Sequence, residues 1–264
     1  MPWTDGPLPT RWLGQPLWHL DTVDSTNQWL RTAMGSGRAG HGAVVVADRQ
    51  TAGRGRRGRV WESPPAGNIY TSVLLCPPPE RLSGLLSLLA GVAVVQAVRD
   101  VTQLDAQLKW PNDAVLHGRK FAGVLVEAGV SPAPWAIVGM GINVNGAPSA
   151  HYPQATSLAH EWEGGMVDAK TLFHALLVAL EATYEEWLRE GDSLVVERWS
   201  RMNVTVGHVV EVHQPGQLPW VGRALRLDAD GSLWVARDNQ PVKIVAGDVS
   251  VRLPGGGYAS GNCW

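Results

Sequence analysis

Residues 53–59 constrain this chain more than any other segment, because they read Gly-Arg-Gly-Arg-Arg-Gly-Arg. Glycine leaves the backbone free and the arginines repel one another, so the segment has little intrinsic order. The formal net charge of the whole chain is only −2, so these arginines are a local concentration of positive charge. We therefore expect an anionic group, such as a phosphate, to bind and order this segment, which we call the arginine loop.

The glycines of the arginine loop also match the dinucleotide-binding pattern Gly-x-Gly-x-x-Gly, at Gly53, Gly55 and Gly58. That pattern has meaning only where a strand precedes it and a helix opens from it, because the helix N-terminus holds the pyrophosphate. Residues 43–47 are a plausible strand, but residues 60–67 contain two prolines and no helical period. We therefore reject a Rossmann fold. The Gly-x-x-x-x-Gly-Lys-[Ser/Thr] motif of a P-loop does not occur either.

Composition limits the class of protein. A hydrophobic fraction of 45% in 264 residues is enough for a substantial core, and near-neutral charge argues against a general nucleic-acid binder. The two cysteines, Cys76 and Cys263, suit a reducing cytoplasm with neither a disulfide framework nor a zinc cluster. No secretion signal is apparent at the start, so we expect a cytoplasmic location. The longest apolar segment, residues 82–98, is broken by polar residues and glycines, which indicates a buried helix rather than a membrane span.

The spacing of apolar residues predicts three long helices. The first begins after residues 24–27, whose side chains can cap it, and ends at residues 35–37; the others span residues 82–101 and 170–189. Residues 1–20 are rich in proline and tryptophan and are predicted to be irregular. Before residue 150, strands are predicted at 43–47, 68–75, 113–116, 123–128 and 135–144.

The sequence pattern changes after residue 202, where short apolar runs alternate with Gly, Pro and Asp. Strands are predicted there at 204–206, 209–212, 221–227, 233–236, 242–245 and 249–253, with a turn at 228–231. This pattern of short strands and turns is typical of a small β-barrel. We therefore divide the chain into a larger domain over residues 1–202, a barrel over residues 203–254 and a disordered tail over residues 255–264.

Three further segments combine polar groups with tight turns. Residues 109–113 read Lys-Trp-Pro-Asn-Asp, where the proline pins a turn and Asn and Asp project beside it; a plain strand-to-strand turn with an Asx cap is the alternative. Lys120 enters a predicted strand, either as a solvated turn residue or as a cation beside a phosphate. Residues 138–145 include glycines that allow close approach to a strand, and Asn143 there is either a ligand-binding group or a satisfied buried amide.

Taken together and in order, these motifs resemble those of the biotin–protein ligases. The resemblance is carried by residues 24–27 (Asp-Ser-Thr-Asn), 50–59 with Trp61, 109–113, 120–123 and 139–143. It is specific from about residue 18 to residue 145 and looser to about residue 253. It implies an α+β fold, in which a catalytic domain related to class II aminoacyl-tRNA synthetases, with a mixed sheet and helices, precedes a small SH3-like β-barrel.

The resemblance also implies a two-step reaction that uses ATP and Mg²⁺. Biotin and Mg-ATP give biotinoyl-5′-AMP and pyrophosphate, and a lysine of an acceptor protein then attacks the mixed anhydride to form an amide. The implied acceptor is a biotin carboxyl carrier domain of acetyl-CoA carboxylase or a related carboxylase.

Three expectations about partners accompany this resemblance. The motif at residues 24–27 starts too early to leave room for the N-terminal helix-turn-helix that some members carry, so we expect a monofunctional ligase with no DNA-binding role. We expect no membrane partner. The apolar strand at residues 138–144 is compatible with a homodimer.

The resemblance assigns roles to the motif residues. Arg54, Arg56 and Lys120 are the expected catalytic residues, because their charges can offset the repulsion between the biotin carboxylate and the α-phosphate. The expected biotin-binding residues are Ser25, Thr26, Asn27, Gln50, Gly53, Arg54, Gly55, Arg56, Lys120 and Gly123. The expected ATP-binding or adenylate-binding residues are Arg56, Arg59, Trp61, Asn112, Lys120 and Asn143. Trp61 is expected to stack over the adenine or the adenylate.

Asp113 is the candidate metal ligand; it either helps to hold Mg²⁺ or shapes its turn. Because the sequence offers no convincing metal cage, we expect Mg²⁺ to arrive with the triphosphate and to keep several waters. We expect the arginine loop to close over biotin and the adenylate, which would exclude water that hydrolyses the anhydride.

Two rival functions use the same residues. A lipoate or octanoate ligase or transferase on the related fold would share the acyl-to-lysine chemistry, but is not expected to carry the arginine loop together with the block at residues 109–113. A non-enzymatic nucleic-acid binder would use the arginine loop as an RGG-like segment. The slightly acidic net charge and the single short loop argue against that binder.

Overall fold

The computed structural model describes residue 3 and residues 6–65, 67–146, 152–214, 216–245 and 250–252. Within these ranges the chain forms a mixed sheet flanked by helices and a second, smaller sheet. The predicted α+β fold class is therefore confirmed.

The larger sheet has seven strands. They are β1 (Leu17–Val23), β2 (Val44–Gln50), β3 (Ile69–Leu75), β4 (Gln107–Lys109), β5 (Asp113–Leu116), β6 (Arg119–Gly129) and β7 (Trp135–Ile142). Their spatial order is β1-β2-β3-β7-β6-β5-β4. Strand β1 runs parallel to β2 and the other neighbouring pairs are antiparallel, so the sheet is mixed as expected.

The described α-helices lie on both faces of this sheet. They are α1 (Thr26–Gly35), α2 (Leu85–Thr102), α3 (Leu158–Glu161), α4 (Ala169–Glu190) and α5 (Asp192–Arg201). Successive side chains of a strand point to opposite faces. Val44 and Val46 accordingly join the core formed with α2, α4 and α5, whereas Val45 joins the smaller cluster under α1.

Helix α2 is the central core helix. It is the one helix of the described residues that is long and apolar enough to cross a membrane, but 72% of it is buried inside the protein. It packs against α4 and α5 on one side and against the larger sheet on the other. This burial agrees with the prediction of a core helix.

The smaller sheet is antiparallel throughout. Its strands are β8 (Val209–His213), β9 (Trp220–Leu227), β10 (Leu233–Arg237), β11 (Gln240–Ile244) and β12 (Ser250–Arg252). They are arranged in the order β11-β10-β9-β8-β12. A small sheet of this form fits the expected SH3-like barrel.

Two of the sequence-based predictions are wrong in part. Residues 17–20 are not irregular, because Leu17 opens β1 and pairs with Val44 of β2. Residues 204–206 are not a strand. The side-chain oxygen of Asn203 accepts hydrogen bonds from the backbone nitrogens of Thr205 and Val206, at 2.8 and 2.6 Å, and this holds the segment in a turn.

Some elements are absent from the prediction, and one predicted segment lies outside the described residues. Strand β4 and helix α3 are too short to show a clear period. Helix α5 begins directly after Gly191, which ends α4, and it lies beyond the end of the helix predicted over residues 170–189. The disordered tail predicted for residues 255–264 is not among the described residues.

Candidate active site

The arginine loop folds back on itself. The backbone nitrogen of Trp61 donates to the carbonyl of Gly53 at 2.9 Å, and that of Gly55 donates to the carbonyl of Arg59 at 2.7 Å. Between these bonds, Arg56–Gly58 forms a single 3₁₀ turn. Among the described residues no α-helix opens from the loop, so the rejection of the dinucleotide-binding pattern is confirmed. A side chain at position 53 would clash with the Trp61 carbonyl, so this glycine lets the two halves of the loop approach.

The loop, the block at residues 109–113 and the start of β6 meet in one cluster of charged and polar groups. Lys120 Nζ lies 2.5 Å from Asp113 Oδ1, and Lys109 Nζ lies 4.0 Å from Asp113 Oδ2. An Arg56 guanidinium nitrogen donates to the side-chain oxygen of Asn112 at 3.0 Å. These last two residues are 56 positions apart in the chain, and the bond joins the arginine loop to the turn.

The electrostatics of this cluster favour an anion. Burial alone would raise the pKa of the Asp113 carboxyl, but the ammonium groups of Lys120 and Lys109, helped by Arg56, hold that pKa below its ordinary value. One carboxylate thus faces three cations. Cations grouped in this way can bind a carboxylate or a phosphate.

Trp61 covers this cluster from one side. Its ring centroid lies 5.1 Å from Lys120 Nζ, a cation–π distance. A Cβ atom at Gly141 would come within 2.6 Å of the Trp61 ring, and one at Gly123 within 3.1 Å of that ring and 3.0 Å of Lys120 Nζ. Both glycines therefore allow the close approach predicted from the sequence, although here the group that approaches is Trp61. Stacking of Trp61 on adenine stays a prediction.

A wall of neutral polar groups lies where β1 and β2 end. Ser25 is the N-cap residue of α1 and is buried. Gln50 Oε1 accepts from the backbone nitrogen of Thr26 at 2.9 Å and lies 3.1 Å from the Thr26 hydroxyl oxygen. Gln50 Nε2 donates to the hydroxyl of Ser63 at 2.9 Å. This wall has the donors and acceptors that a neutral ligand ring would need.

Asn27 is engaged within the protein at both ends of its amide. Its Nδ2 donates to Glu127 Oε2 at 2.9 Å, and its Oδ1 accepts from the Ser72 hydroxyl at 2.6 Å. A Cβ atom at Gly139 would clash with Asn27 Oδ1, so the glycine makes room for the amide. Direct contact of Asn27 with biotin stays a prediction.

Other predicted site residues are spread around this centre. Asn143 is buried, its Nδ2 donates to the Thr156 carbonyl at 3.0 Å, and its backbone nitrogen donates to the Phe121 carbonyl at 2.8 Å. This is the geometry of a satisfied buried amide, and a role at the ribose or adenine stays a prediction. Arg54 and Arg59, in the arginine loop, are exposed.

Three residues that hydrogen-bond to Gln50 or Asn27 were missing from the prediction: Ser63, Ser72 and Glu127. Ser72 lies in an apolar strand and Glu127 near the end of another, and neither belongs to a motif. Only their contacts with Asn27 and Gln50 identify them. The sequence signal for Ser72 is weak: it is a polar residue in a strand whose seven residues are all buried.

The described residues near the arginine loop do not form a cage for a bare metal ion. Asp113 faces Lys120 and Lys109, so its oxygens already interact with cations. A separate cluster of possible metal ligands lies away from the arginine loop. It consists of His19, Asp21 and Asp48, whose ligand atoms lie within 4.8 Å of one another. There, Asp48 Oδ1 accepts a hydrogen bond from the Trp3 indole N–H at 2.7 Å, and His19 Nε2 lies 3.0 Å from Asp48 Oδ2.

Comparison with known proteins identifies the family of this chain. Residues 20–145 match the biotin/lipoate A/B protein ligase family. The chain is 36% identical over 238 residues to the biotin–[acetyl-CoA-carboxylase] ligase of Mycobacterium tuberculosis, and the match covers 87% of this chain and 88% of the relative. It is 31% identical over 252 residues to the bifunctional ligase/repressor BirA of Bacillus subtilis, covering 92% of this chain and 76% of the relative.

A solved structure is similar to this chain in fold as well as in sequence. The biotin protein ligase from Aquifex aeolicus in complex with biotin and ATP superposes with a TM-score of 0.78 at 30% identity, covering 90% of this chain and 98% of that chain. The similarity thus extends over most of the chain. The chain belongs to the biotin protein ligases of the biotin/lipoate A/B protein ligase family.

Proposed function

We propose that this protein is an ATP-dependent biotin–protein ligase. The observation that carries the proposal is the cluster of Arg56, Lys120, Asn112 and Asp113 beneath Trp61, beside a wall of neutral hydrogen-bonding groups, in a member of this family. A cationic centre beside a neutral polar wall suits a ligand with a carboxylate at one end and an uncharged polar ring at the other. Biotin has this form, whereas lipoate and octanoate have no polar ring.

In the first step, a carboxylate oxygen of biotin attacks the α-phosphorus of ATP and pyrophosphate leaves, which gives biotinoyl-5′-AMP. The reacting groups are both anionic and repel each other. Arg56 and Lys120 are fixed by Asn112 and Asp113 where they can offset this repulsion without reorganising. Loss of one such preorganised donor commonly raises the barrier by about 3 kcal/mol.

In the second step, the amine of an acceptor lysine attacks the carbonyl carbon of the mixed anhydride. An amide bond forms, the amine loses a proton, and AMP leaves. We propose a biotin carboxyl carrier domain of a carboxylase as the acceptor. The names of relatives that act on acetyl-CoA carboxylase support this partner.

The assignment of residues to the two ligands is part of the proposal. The biotin site would use the expected residues Ser25, Thr26, Asn27, Gln50, Gly53, Arg54, Gly55, Arg56, Lys120 and Gly123. The ATP site would use Arg56, Arg59, Trp61, Asn112, Lys120 and Asn143. Because Asp113 faces two lysines, the residues present do not fit a dedicated magnesium site, and Mg²⁺ would be bound by the triphosphate.

Wider features of the protein belong to the same proposal. We infer a catalytic domain over residues 1–202 and a barrel over residues 203–254. We also infer that the protein is cytoplasmic, has no role on DNA or at membranes, and can form a homodimer. The strand expected to support that homodimer, β7, is not its contact surface, because β3 and β6 pair with both of its edges and its apolar residues are buried. A footprint on operator DNA at physiological salt would contradict the DNA part of this proposal.

The first test is biotin-dependent exchange between ATP and pyrophosphate, with lipoate and octanoate assayed in parallel. We expect exchange with biotin alone and a loss of about hundredfold in Arg56→Ala. The matched control is Arg189→Ala, which removes an exposed arginine near the end of α4 and should leave exchange unchanged. Exchange with lipoate or octanoate in place of biotin would contradict the proposal that biotin is the substrate. No exchange with any of the three acids would contradict the proposal that the protein is an acid-activating enzyme.

A further inference from the structure

A chain of buried hydrogen bonds runs behind the proposed biotin site, with Ser72 at its centre. Ser72 lies on β3, is fully buried, and pairs in register with Gly139 of β7. Its hydroxyl oxygen lies 2.6 Å from Asn27 Oδ1 and 2.7 Å from the Thr26 hydroxyl oxygen. Ser72 thus connects two neighbouring residues of α1 that carry the neutral wall.

The orientations of both amides in this chain are fixed by partners of known polarity. The backbone N–H of Thr26 can only donate, so the Gln50 atom that faces it at 2.9 Å is the carbonyl oxygen. The carboxylate of Glu127 accepts, so the Asn27 atom that faces it at 2.9 Å is the amide nitrogen. The Asn27 oxygen therefore points to Ser72 and needs a donor.

Counting protons then fixes the direction of the hydrogen bonds. Ser72 has one hydroxyl proton and Asn27 Oδ1 has none, so Ser72 donates to Asn27. The hydroxyl proton of Thr26 can go to Ser72 Oγ at 2.7 Å or to Gln50 Oε1 at 3.1 Å. In both cases the Thr26 proton is used inside the protein. The Thr26 oxygen then meets a ligand as an acceptor.

We propose that Ser72 is a positioning residue which, together with Glu127, directs these protons so that the Thr26 hydroxyl presents a lone pair to a ureido N–H of biotin. This inference rests on the proposed function and explains its selectivity. A ureido ring has N–H donors, whereas lipoate and octanoate have none. Neither Ser72 nor Glu127 needs to contact biotin.

The test separates this role from a merely structural one. Ser72→Ala removes both the donor to Asn27 and the nearer acceptor of the Thr26 hydroxyl proton. Only the longer contact with Gln50, at 3.1 Å, then holds that proton inside the protein, so it can turn outward more readily, and we expect the KM for biotin in the exchange assay to rise about tenfold. The KM for ATP should not change. Glu127→Gln replaces an obligatory acceptor by an amide that can adopt either orientation, and should raise the KM for biotin by a smaller factor. Ser72→Thr keeps the hydroxyl and should restore the KM for biotin.

Thr71→Val is the matched control. Thr71 is the neighbouring residue on β3, is equally buried, and donates its hydroxyl to the Val45 carbonyl at 2.9 Å on the opposite face of the sheet. We expect it to lower the melting temperature as Ser72→Ala does, with an unchanged KM for biotin. If Ser72→Ala leaves the KM for biotin unchanged, or if Thr71→Val raises it equally, the inference is overturned. No exchange with biotin in the unsubstituted protein would instead overturn the proposed function.

Discussion

At the scale of single residues, the most informative side chain is Asp113. From the sequence it is a candidate metal ligand or a turn residue, and the structure places it between Lys120 and Lys109. Its carboxylate holds two cations that would otherwise repel each other in a partly buried site. We therefore interpret Asp113 as the group that fixes the position of Lys120.

We expect Asp113→Asn to lower both stability and activity. It leaves two lysines without their carboxylate in a site where Asp113 is largely buried, so the free energy of unfolding should fall by about 3 kcal/mol. ATP–pyrophosphate exchange should fall as well, because Lys120 is no longer held. The matched control is Asp105→Asn, which breaks an exposed pair with Arg99 and should change neither quantity. Full stability in Asp113→Asn would contradict this interpretation.

The loss of stability caused by Asp113→Asn should depend on pH. The pKa of Asp113 is lowered in the folded protein, so its contribution to stability is fully present above the ordinary value of 3.8 and is lost as the pH falls through the folded value. The difference in unfolding free energy between the unsubstituted protein and Asp113→Asn should therefore be constant from neutral pH to about pH 4 and shrink below it. Chemical denaturation at a series of pH values measures it. A difference in unfolding free energy that grows as the pH falls would contradict this prediction.

At the scale of elements, the arginine loop is a short hairpin with a fixed base and an exposed tip. The bonds at its base join Trp61 to Gly53 and Arg59 to Gly55. At the tip, Arg57 and Gly58 have φ values of 60° and 71°, in the left-handed region. A tip of this kind can move while the base stays in place, which is the behaviour expected of a loop that closes over ligands.

We expect biotin plus ATP to protect this tip from trypsin. Cleavage after Arg57 or Arg59 should slow when both ligands are present, because the arginines then contact the ligands and the loop is ordered. Cleavage after Arg237, at the exposed hairpin between β10 and β11, is an internal reference that should not change. Mass spectrometry of timed digests measures both sites. Equal cleavage of the tip with and without ligands would contradict closure.

At the scale of the whole molecule, Trp110 joins the smaller sheet to the larger one. Its ring is fully buried, its indole N–H donates to the Gly231 carbonyl at 3.0 Å, and its backbone nitrogen donates to the Thr205 hydroxyl at 2.9 Å. The next residues along the chain include Asn112 and Asp113, which hold the cationic centre. The main hydrophobic core also includes residues of both sheets, so we expect them to unfold together.

We expect calorimetry to show one unfolding transition, and Trp110→Phe to lower its temperature without splitting it. The substitution keeps an aromatic ring but leaves the Gly231 carbonyl without its donor, at a cost of about 1–2 kcal/mol. Trp18→Phe is the control, because Trp18 is only partly buried and packs edge-on against Trp29. Two separate transitions in the unsubstituted protein would show that the sheets are independent.

Features that depend on local pattern could be predicted from the amino-acid sequence alone. Long apolar periods indicated α2 and α4, and the spacing of glycine and arginine indicated the arginine loop. The ordered motifs indicated the family. These features follow from composition and from contacts between near neighbours, so a single sequence carries them. The predicted group of Arg56, Asn112, Asp113 and Lys120 does come together.

Hydrogen bonds between residues far apart in the sequence, in contrast, could be identified only from the tertiary structure. Asn27 meets Glu127 across 100 positions and Ser72 across 45, because β3, β7 and β6 are neighbours in space. No local pattern records that order. For the same reason the prediction missed β1, a parallel edge strand whose partner lies beyond a helix, and mistook the turn after Asn203 for a strand. Pairing partners and long-range bonds, rather than propensity, decide such segments.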